Sequence, residues 1–374
     1  MSERPVLLCA GGTGGHLFPA EALAHALKAR GVAVELVTDE RALKYGDSFP
    51  AQAMHTIRSA TPRGGSLFAR AAAVAQLAYG AAEAQALLRR IQPRAVIGFG
   101  GYPTVPPMLA AAMLRIPTVL HEANGVMGKA NRFLARHVDR IAAGVPLVGA
   151  APALAIKTIV TGNPMRPNAL AFAAAPYPAF DGRLRLLVTG GSQGARVMAD
   201  VVPAAVAAVP PELRAKLDIV QQTRAEDIAR VSGDYERAGV EAEIAPFFTD
   251  LPARIAHAHL VVARAGASTV SELALIGRPS LLVPLPQSLD GDQAANAALL
   301  AQSGSAEVVR QENFTPRFLS ERLAELIASP ETLIARAEAA KQVGVADAAE
   351  RLADLVLEVA RQNNGAPAPN GRPA

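Results

Sequence analysis

Short apolar runs alternate along the chain with glycine turns and Ala-rich stretches of helical spacing, a rhythm that predicts strands and helices in turn. Residues 5–10 predict a strand, 19–30 a helix with Pro19 in its first turn and Gly31 at its end, and 32–37 a second strand. One or two helices follow over 67–91, with Gly80 as a break point. Then come a strand at 95–99, a helix at 105–114 and strands at 118–120, 141–143 and 158–160. Residues 161–168 read as a turn-rich hinge. Beyond it the pattern begins again. Strands are predicted at 185–189, 217–221, 241–245, 259–263 and 280–285. Helices are predicted after the glycine loop 190–195, after Gly266, near Gln293, at 316–328 and within 331–362.

This alternation predicts an α/β chain of two Rossmann-like, doubly wound parallel-sheet domains. We divide it into residues 1–163, residues 164–345, a final helix at 346–362 packing back on the first domain, and an Asn/Gly/Pro-rich, disordered tail at 363–374. In each domain the loops at the carboxyl edge of the sheet are where ligands are expected.

Composition narrows this picture in three ways. With 51% hydrophobic and 19% charged residues, the 374-residue chain is globular, with ample core for two domains. The single Cys9 excludes an internal disulfide and fits a reducing compartment. No secretory signal or bilayer-spanning run is expected. The net charge of +4 hides an asymmetry: residues 1–163 carry 17 Lys and Arg against 9 Asp and Glu, and residues 164–374 carry 20 against 24. The basic half suits an anionic membrane surface better than nucleic acid, because only 4% of residues are aromatic and Trp is absent.

The most informative stretch is 263–273, Ala-Arg-Ala-Gly-Ala-Ser-Thr-Val-Ser-Glu-Leu. A buried strand, a glycine turn and an open helix N-terminus form an anion site, because the first N–H groups of a helix have no partner within it. Ala267, Ser268 and Thr269 lie at that terminus. Glu272 would repel phosphate, so it is assigned to a ribose diol, whose two hydroxyls one carboxylate can accept. The stretch thus fits a nucleoside diphosphate; it equally fits a capped helix whose Glu272 only complements the dipole.

Six motifs occur in order: Gly-Gly-Thr-Gly-Gly-His (11–16), Phe-Gly-Gly-Tyr (99–102), His-Glu-Ala-Asn (121–124), Gly-Asn-Pro-Met-Arg (162–166), Gly-Gly-Ser-Gln-Gly-Ala (190–195) and Arg-Ala-Gly-Ala-Ser-Thr-Val-Ser-Glu (264–272). The set closely resembles the MurG family, the bacterial N-acetylglucosaminyltransferases of peptidoglycan synthesis, from residue 5 to about residue 360. The resemblance implies the GT-B fold, with the active site in a cleft between the domains. It also implies an inverting transfer of N-acetylglucosamine from UDP to the 4-hydroxyl of the muramyl-pentapeptide on undecaprenyl diphosphate (lipid I), giving lipid II.

By the same resemblance His16 is the general base or, failing that, an acceptor-phosphate ligand. Thr13, Gly14 and Gly15 face the donor sugar, Gly14, Gly101 and Tyr102 face the acceptor, and Asn124 meets the donor sugar. Arg166 and Ser192 meet the diphosphate, Phe248 marks the uracil segment, and Gln293 meets a sugar hydroxyl. No metal or cofactor is required, although a divalent cation as counterion would stimulate. The expected partners are UDP-N-acetylglucosamine, lipid I, an anionic membrane surface and other cell-wall or division proteins, with no nucleic acid. The expected location is peripheral, on the cytoplasmic face of the inner membrane. Residues 69–82 are mostly Ala where the family's membrane patch tends to carry large aromatics, so attachment is expected to be charge-assisted and salt-sensitive.

Overall fold

The computed structural model describes residues 4–11, 14–39, 49–57, 67–191, 194–288 and 291–364. The expectations for Thr13 and Ser192, and for the tail from residue 365, lie outside them. The chain forms two compact units: 1–123, 127–164 and 347–374 make one, and 124–126 with 165–346 make the other.

The first unit contains seven strands, β1 (Val6–Cys9), β2 (Val34–Thr38), β3 (Ala53–Thr56), β4 (Ala95–Gly98), β5 (Thr118–Glu122), β6 (Arg140–Ala143) and β7 (Thr158–Val160). They pair in parallel in the order β3-β2-β1-β4-β5-β6-β7. The second contains β8 (Leu184–Thr189), β9 (Leu217–Gln222), β10 (Ala242–Ala245), β11 (Leu260–Ala263), β12 (Ser280–Leu282) and β13 (Ala306–Val308), parallel in the order β10-β9-β8-β11-β12-β13. In each sheet the strand order reverses beside the unit's first strand, and there the crevice at the carboxyl edge opens. Central strands such as Val6–Cys9 and Leu260–Ala263 are buried along their whole length, which is why they read as unbroken apolar runs.

The pattern missed β3 and β13, both edge strands whose residues are half-buried or exposed. β3 is fastened to its neighbour by a 2.7 Å contact between His55 Nε2 and Glu35 Oε2. The first helix also departs from expectation: it runs Gly14–Ala29, with Pro19 inside rather than at its start. The carbonyl that Pro19 leaves without a donor belongs to Gly15, still in the first turn, so little of the ladder is lost. Strand β5 extends two residues beyond expectation, making His121 and Glu122 buried strand residues. The C-terminal helix Ala348–Asn364 runs two residues into the segment expected to be disordered. It buries Leu352, Val356 and Val359 in the core of the first unit, and Arg30 binds its flank through Asp354 at 3.1 Å and the Glu350 carbonyl at 3.2 Å.

Arg278 anchors the second unit. It is fully buried and donates to five carbonyl contacts: Ala256 twice (3.2 and 2.6 Å), Ile276 (2.8 Å), Gly277 (2.9 Å) and Pro176 (2.8 Å). Three of these carbonyls end the helices Leu251–His257 and Ala267–Ile276, where helix dipoles favour a cation. Burial pulls its pKa down to about 10, opposed by Tyr177, so it stays charged at neutrality. Arg278→Met would strand four buried acceptors and should destabilise this unit by about 3–5 kcal/mol. Urea unfolding followed by far-UV circular dichroism measures this, and an unchanged midpoint would refute the anchor.

Candidate functional site

The second unit builds its site where β11 ends. After three intervening residues the helix Ala267–Ile276 begins, with Gly266 as N-cap and no side-chain cap. The first backbone bond back into the helix is Val270 N–H to Gly266 O at 3.0 Å, so the N–H groups of Ala267, Ser268 and Thr269 have no partner within the helix. These residues are half-buried and accessible. Arg264, just before them, is a brace rather than a ligand group. Its guanidinium donates to the carbonyls of Val283 (2.9 Å) and Pro284 (3.2 Å) and to Gln311 Oε1 (2.6 Å).

Glu272 lies five residues past Ala267, about 7.5 Å along the helix axis from the anion-binding end. Burial pushes its carboxyl up to about 7, and the Arg166 guanidinium pulls it back down. The structure therefore brings together Arg166 and Glu272, which the sequence reading had assigned to different parts of the ligand.

Gln293 Oε1 accepts from the backbone N–H groups of Leu285 (3.0 Å) and Ala265 (3.3 Å). Its oxygen is committed to the loops, so toward a sugar Gln293 offers mainly its amino group. Phe248 is buried beneath Arg254, whose guanidinium carbon lies 4.1 Å from the ring centre. Its side chain is core, and only its backbone is available for recognition.

Two groups in this unit were missed. Gln222 ends β9 and gathers the second glycine loop: its Oε1 accepts from Thr189 Oγ1 (2.8 Å) and Gly190 N–H (3.2 Å), and its Nε2 donates to Gly191 O (3.0 Å) and Pro246 O (3.2 Å). Asn296, 1% exposed, joins Asn124 and Gly125 to Ala265. The available signal was an amide at the end of a strand, Leu217–Gln222, and an Asn within an Ala-rich helix, Asp292–Gln302.

The first unit gathers its chemistry where β1, β4 and β5 end. His16 lies in the first helical turn, against the backbone of Gly100 and Gly101. A Cβ on Gly100 would come within 3.1 Å of that imidazole, and Gly100 and Gly101 have φ of +95° and +80°, so both space and conformation call for glycine. Gly14 and Gly15 open the same helix, and Tyr102 follows at the head of a short turn, half-buried.

His121 is fully buried, with its ring 5.4 Å from that of Phe99. Burial lowers its pKa to about 4; a poorly aligned contact with the Gly162 backbone opposes this and the charge of His16 adds to it. His121 is therefore neutral at physiological pH. Glu122 accepts from Gly128 N–H (3.0 Å) and Asn131 Nδ2 (2.8 Å), which makes it a loop anchor. Among the described residues no cluster of three or more His, Cys, Asp or Glu side chains is placed to hold a metal ion.

Residues 6–143 match the glycosyltransferase family 28 N-terminal domain, and residues 185–352 match the family 28 C-terminal domain. The chain belongs to glycosyltransferase family 28. Two family 28 relatives, from Methylobacterium radiotolerans and Methylobacterium nodulans, are 57% and 58% identical over 95% and 96% of this chain and 97% of their own lengths. Each is named UDP-N-acetylglucosamine–N-acetylmuramyl-(pentapeptide) pyrophosphoryl-undecaprenol N-acetylglucosamine transferase. Among solved structures, Acinetobacter baumannii MurG is 28% identical, with a TM-score of 0.77 over 95% of this chain and 99% of its own. A glycosyltransferase of kitacinnamycin, 17% identical with a TM-score of 0.69, shares the fold. These likenesses match the GT-B transferase expected from the motifs.

The state of Glu272 generates a prediction. A carboxyl raised to about 7 when folded costs stability as pH rises from its ordinary value through 7, and costs nothing extra below that range. Glu272→Gln removes the cost. It should raise the melting temperature at pH 8 by about 6–12 °C, the shift expected for about 3 kcal/mol in a domain this size, and leave it nearly unchanged at about pH 4, below the ordinary carboxylate value. Equal shifts at both pH values would refute the assignment.

Proposed function

We propose that this family 28 chain moves N-acetylglucosamine from its UDP carrier to the 4-hydroxyl of an N-acetylmuramyl-pentapeptide linked through diphosphate to undecaprenol. The observation that carries this reading is identity of 57% over 95% of the chain with a transferase named for that reaction. The local chemistry supports it. The N–H groups at the start of helix Ala267–Ile276 receive the donor diphosphate, with Arg166 and the second glycine loop beside it. Glu272 takes the ribose hydroxyls, Asn124 and Gln293 the sugar, and the backbone around Phe248 the uracil.

His16 accepts the proton of the acceptor hydroxyl as that oxygen bonds to the anomeric carbon. The bond from that carbon to the UDP oxygen breaks, and its electron pair leaves with UDP, inverting the centre. Charge developing on UDP is met by the helix N-terminus and Arg166, so these residues supply the stabilisation directly. Gly101 and Tyr102 flank His16 on the acceptor side.

The experiment is transfer of labelled N-acetylglucosamine to a short-chain analogue of the lipid-linked acceptor. Wild type should transfer. His16→Ala should lose about 10²- to 10⁴-fold in kcat while keeping its affinity for UDP-N-acetylglucosamine within about threefold. UDP binding without transfer would overturn the acceptor assignment, and full activity in His16→Ala would overturn the base.

The same reading puts the chain on the cytoplasmic face of the cell membrane, held peripherally. No helix among the described residues is long and apolar enough to cross a membrane. The basic excess of residues 1–163 and the exposed side chains of Tyr79 (54%) and Met113 (69%) support surface binding. Co-sedimentation with anionic vesicles should be strong at 50 mM salt and fall severalfold at 300 mM, because screening shortens the reach of each charge. Binding that ignores salt would refute charge-assisted attachment.

A further inference from the structure

Every polar atom of the Asn296 side chain is used. Its Oδ1 accepts from Gly125 N–H at 2.8 Å, and its Nδ2 donates to Ala265 O at 3.1 Å and to Asn124 Oδ1 at 3.0 Å. All these residues belong to the unit formed by 124–126 and 165–346. The two backbone partners fix the polarity of the amide, since a peptide N–H only donates and a peptide carbonyl only accepts. The usual ambiguity between the oxygen and nitrogen of an asparagine is therefore resolved at 296. The same logic passes to the next side chain: the atom of Asn124 that faces Asn296 Nδ2 must be an acceptor, so it is the oxygen. The amino group of Asn124 then occupies the other branch of its amide.

Close approach makes this possible. A Cβ on Gly125 would lie 3.1 Å from Ala295 Cβ and 3.4 Å from the Ala295 carbonyl carbon. Gly125 thus lets the 124–126 segment press against helix Asp292–Gln302, near enough for its N–H to reach Asn296. Ala265, the third partner, lies two residues before the open helix N-terminus. One buried amide therefore sets both the turn that carries Asn124 and the loop that leads to the anion site.

We infer that Asn296 is a positioning residue of the donor site: it holds the Asn124 amide oxygen inward, so that Asn124 meets the sugar as an N–H donor and selects an acceptor oxygen there. This rests on the reading of Asn124 as a donor-sugar contact. Asn296 touches no substrate itself and acts through Asn124 and Ala265.

The test is a double-mutant cycle on steady-state transfer with the UDP-sugar varied. Asn296→Asp keeps the shape and the acceptor for Gly125 but has no hydrogen to give when ionised, and when protonated only one for Asn124 and Ala265 together. Asn296→Asp and Asn124→Ala should each lower kcat/KM for the donor about 10- to 100-fold, with KM for the lipid acceptor within about twofold. In the Asn124→Ala background, Asn296→Asp should cost no more than about threefold further, because the two act as one unit. Gly125→Ala, which keeps every side-chain donor and acceptor but forces the turn from Ala295, should show the same non-additivity, and it carries the cycle if Asn296→Asp does not fold. Penalties that multiply in full would overturn the inference and leave the donor-sugar reading intact. Unchanged kinetics in Asn124→Ala would overturn both.

Discussion

The carboxyl edge of a parallel sheet places several loops side by side where the strand ladder has ended, so their backbone groups need partners from elsewhere. In this chain buried amide and carboxylate side chains supply many of them. Gln222 gathers the second glycine loop and Pro246, Gln293 holds Ala265 and Leu285, and Asn296 holds Gly125 and Ala265. In the first unit Glu122 and Asn131 do the same for Gly128 and the His121 carbonyl, and Asn163 reaches Ala123 at 2.9 Å. A loop held this way has its backbone groups fixed by buried partners, which matters for groups that must be in position before substrate arrives.

These ties explain which parts of the fold could be read from sequence. Central strands were legible because burial on both faces leaves an unbroken apolar run, as in Val6–Cys9. Among the described residues two of the four edge strands, Ala53–Thr56 and Ala306–Val308, were not, whereas the equally exposed Thr158–Val160 and Ala242–Ala245 were. The strand, turn and helix leading to Ala267 were legible because they follow one another locally. The roles of Gln222 and Asn296 were not, because each depends on a partner far away in sequence: Asn296 lies 171 residues from Gly125. The motif set made Asn124 and Gln293 expected ligand groups without revealing that each has its oxygen already engaged.

Burial disfavours the charged form of two ionisable groups, His121 in the first unit and Glu272 in the second. His121 is held neutral by burial, with its pKa lowered to about 4, so it adds no positive charge beside His16 at neutral pH. A charged imidazole there would make it harder for His16 to accept a proton, by the like-charge effect that each exerts on the other. Burying His121 against Phe99 keeps that neighbour uncharged.

Glu272 has the harder task. About 7.5 Å along the helix axis, each phosphate charge would repel an ionised carboxylate by about 2 kcal/mol at an effective dielectric of 20. Its carboxyl sits near 7, so neither protonation state is strongly preferred at neutral pH. Hydrogen bonds from two ribose hydroxyls favour the ionised form, and the diphosphate disfavours it. The charge of Arg166, which already lowers the carboxyl's pKa, can offset that repulsion. A nucleotide is then retained when both ends are present, the diol to hold the carboxylate ionised and the diphosphate to engage the helix N-terminus. A ligand carrying phosphate without the diol meets only the repulsion from this carboxylate, or binds with Glu272 protonated. On the proposed reading, Glu272 would favour a nucleoside diphosphate over free phosphate at a helix end open to either anion.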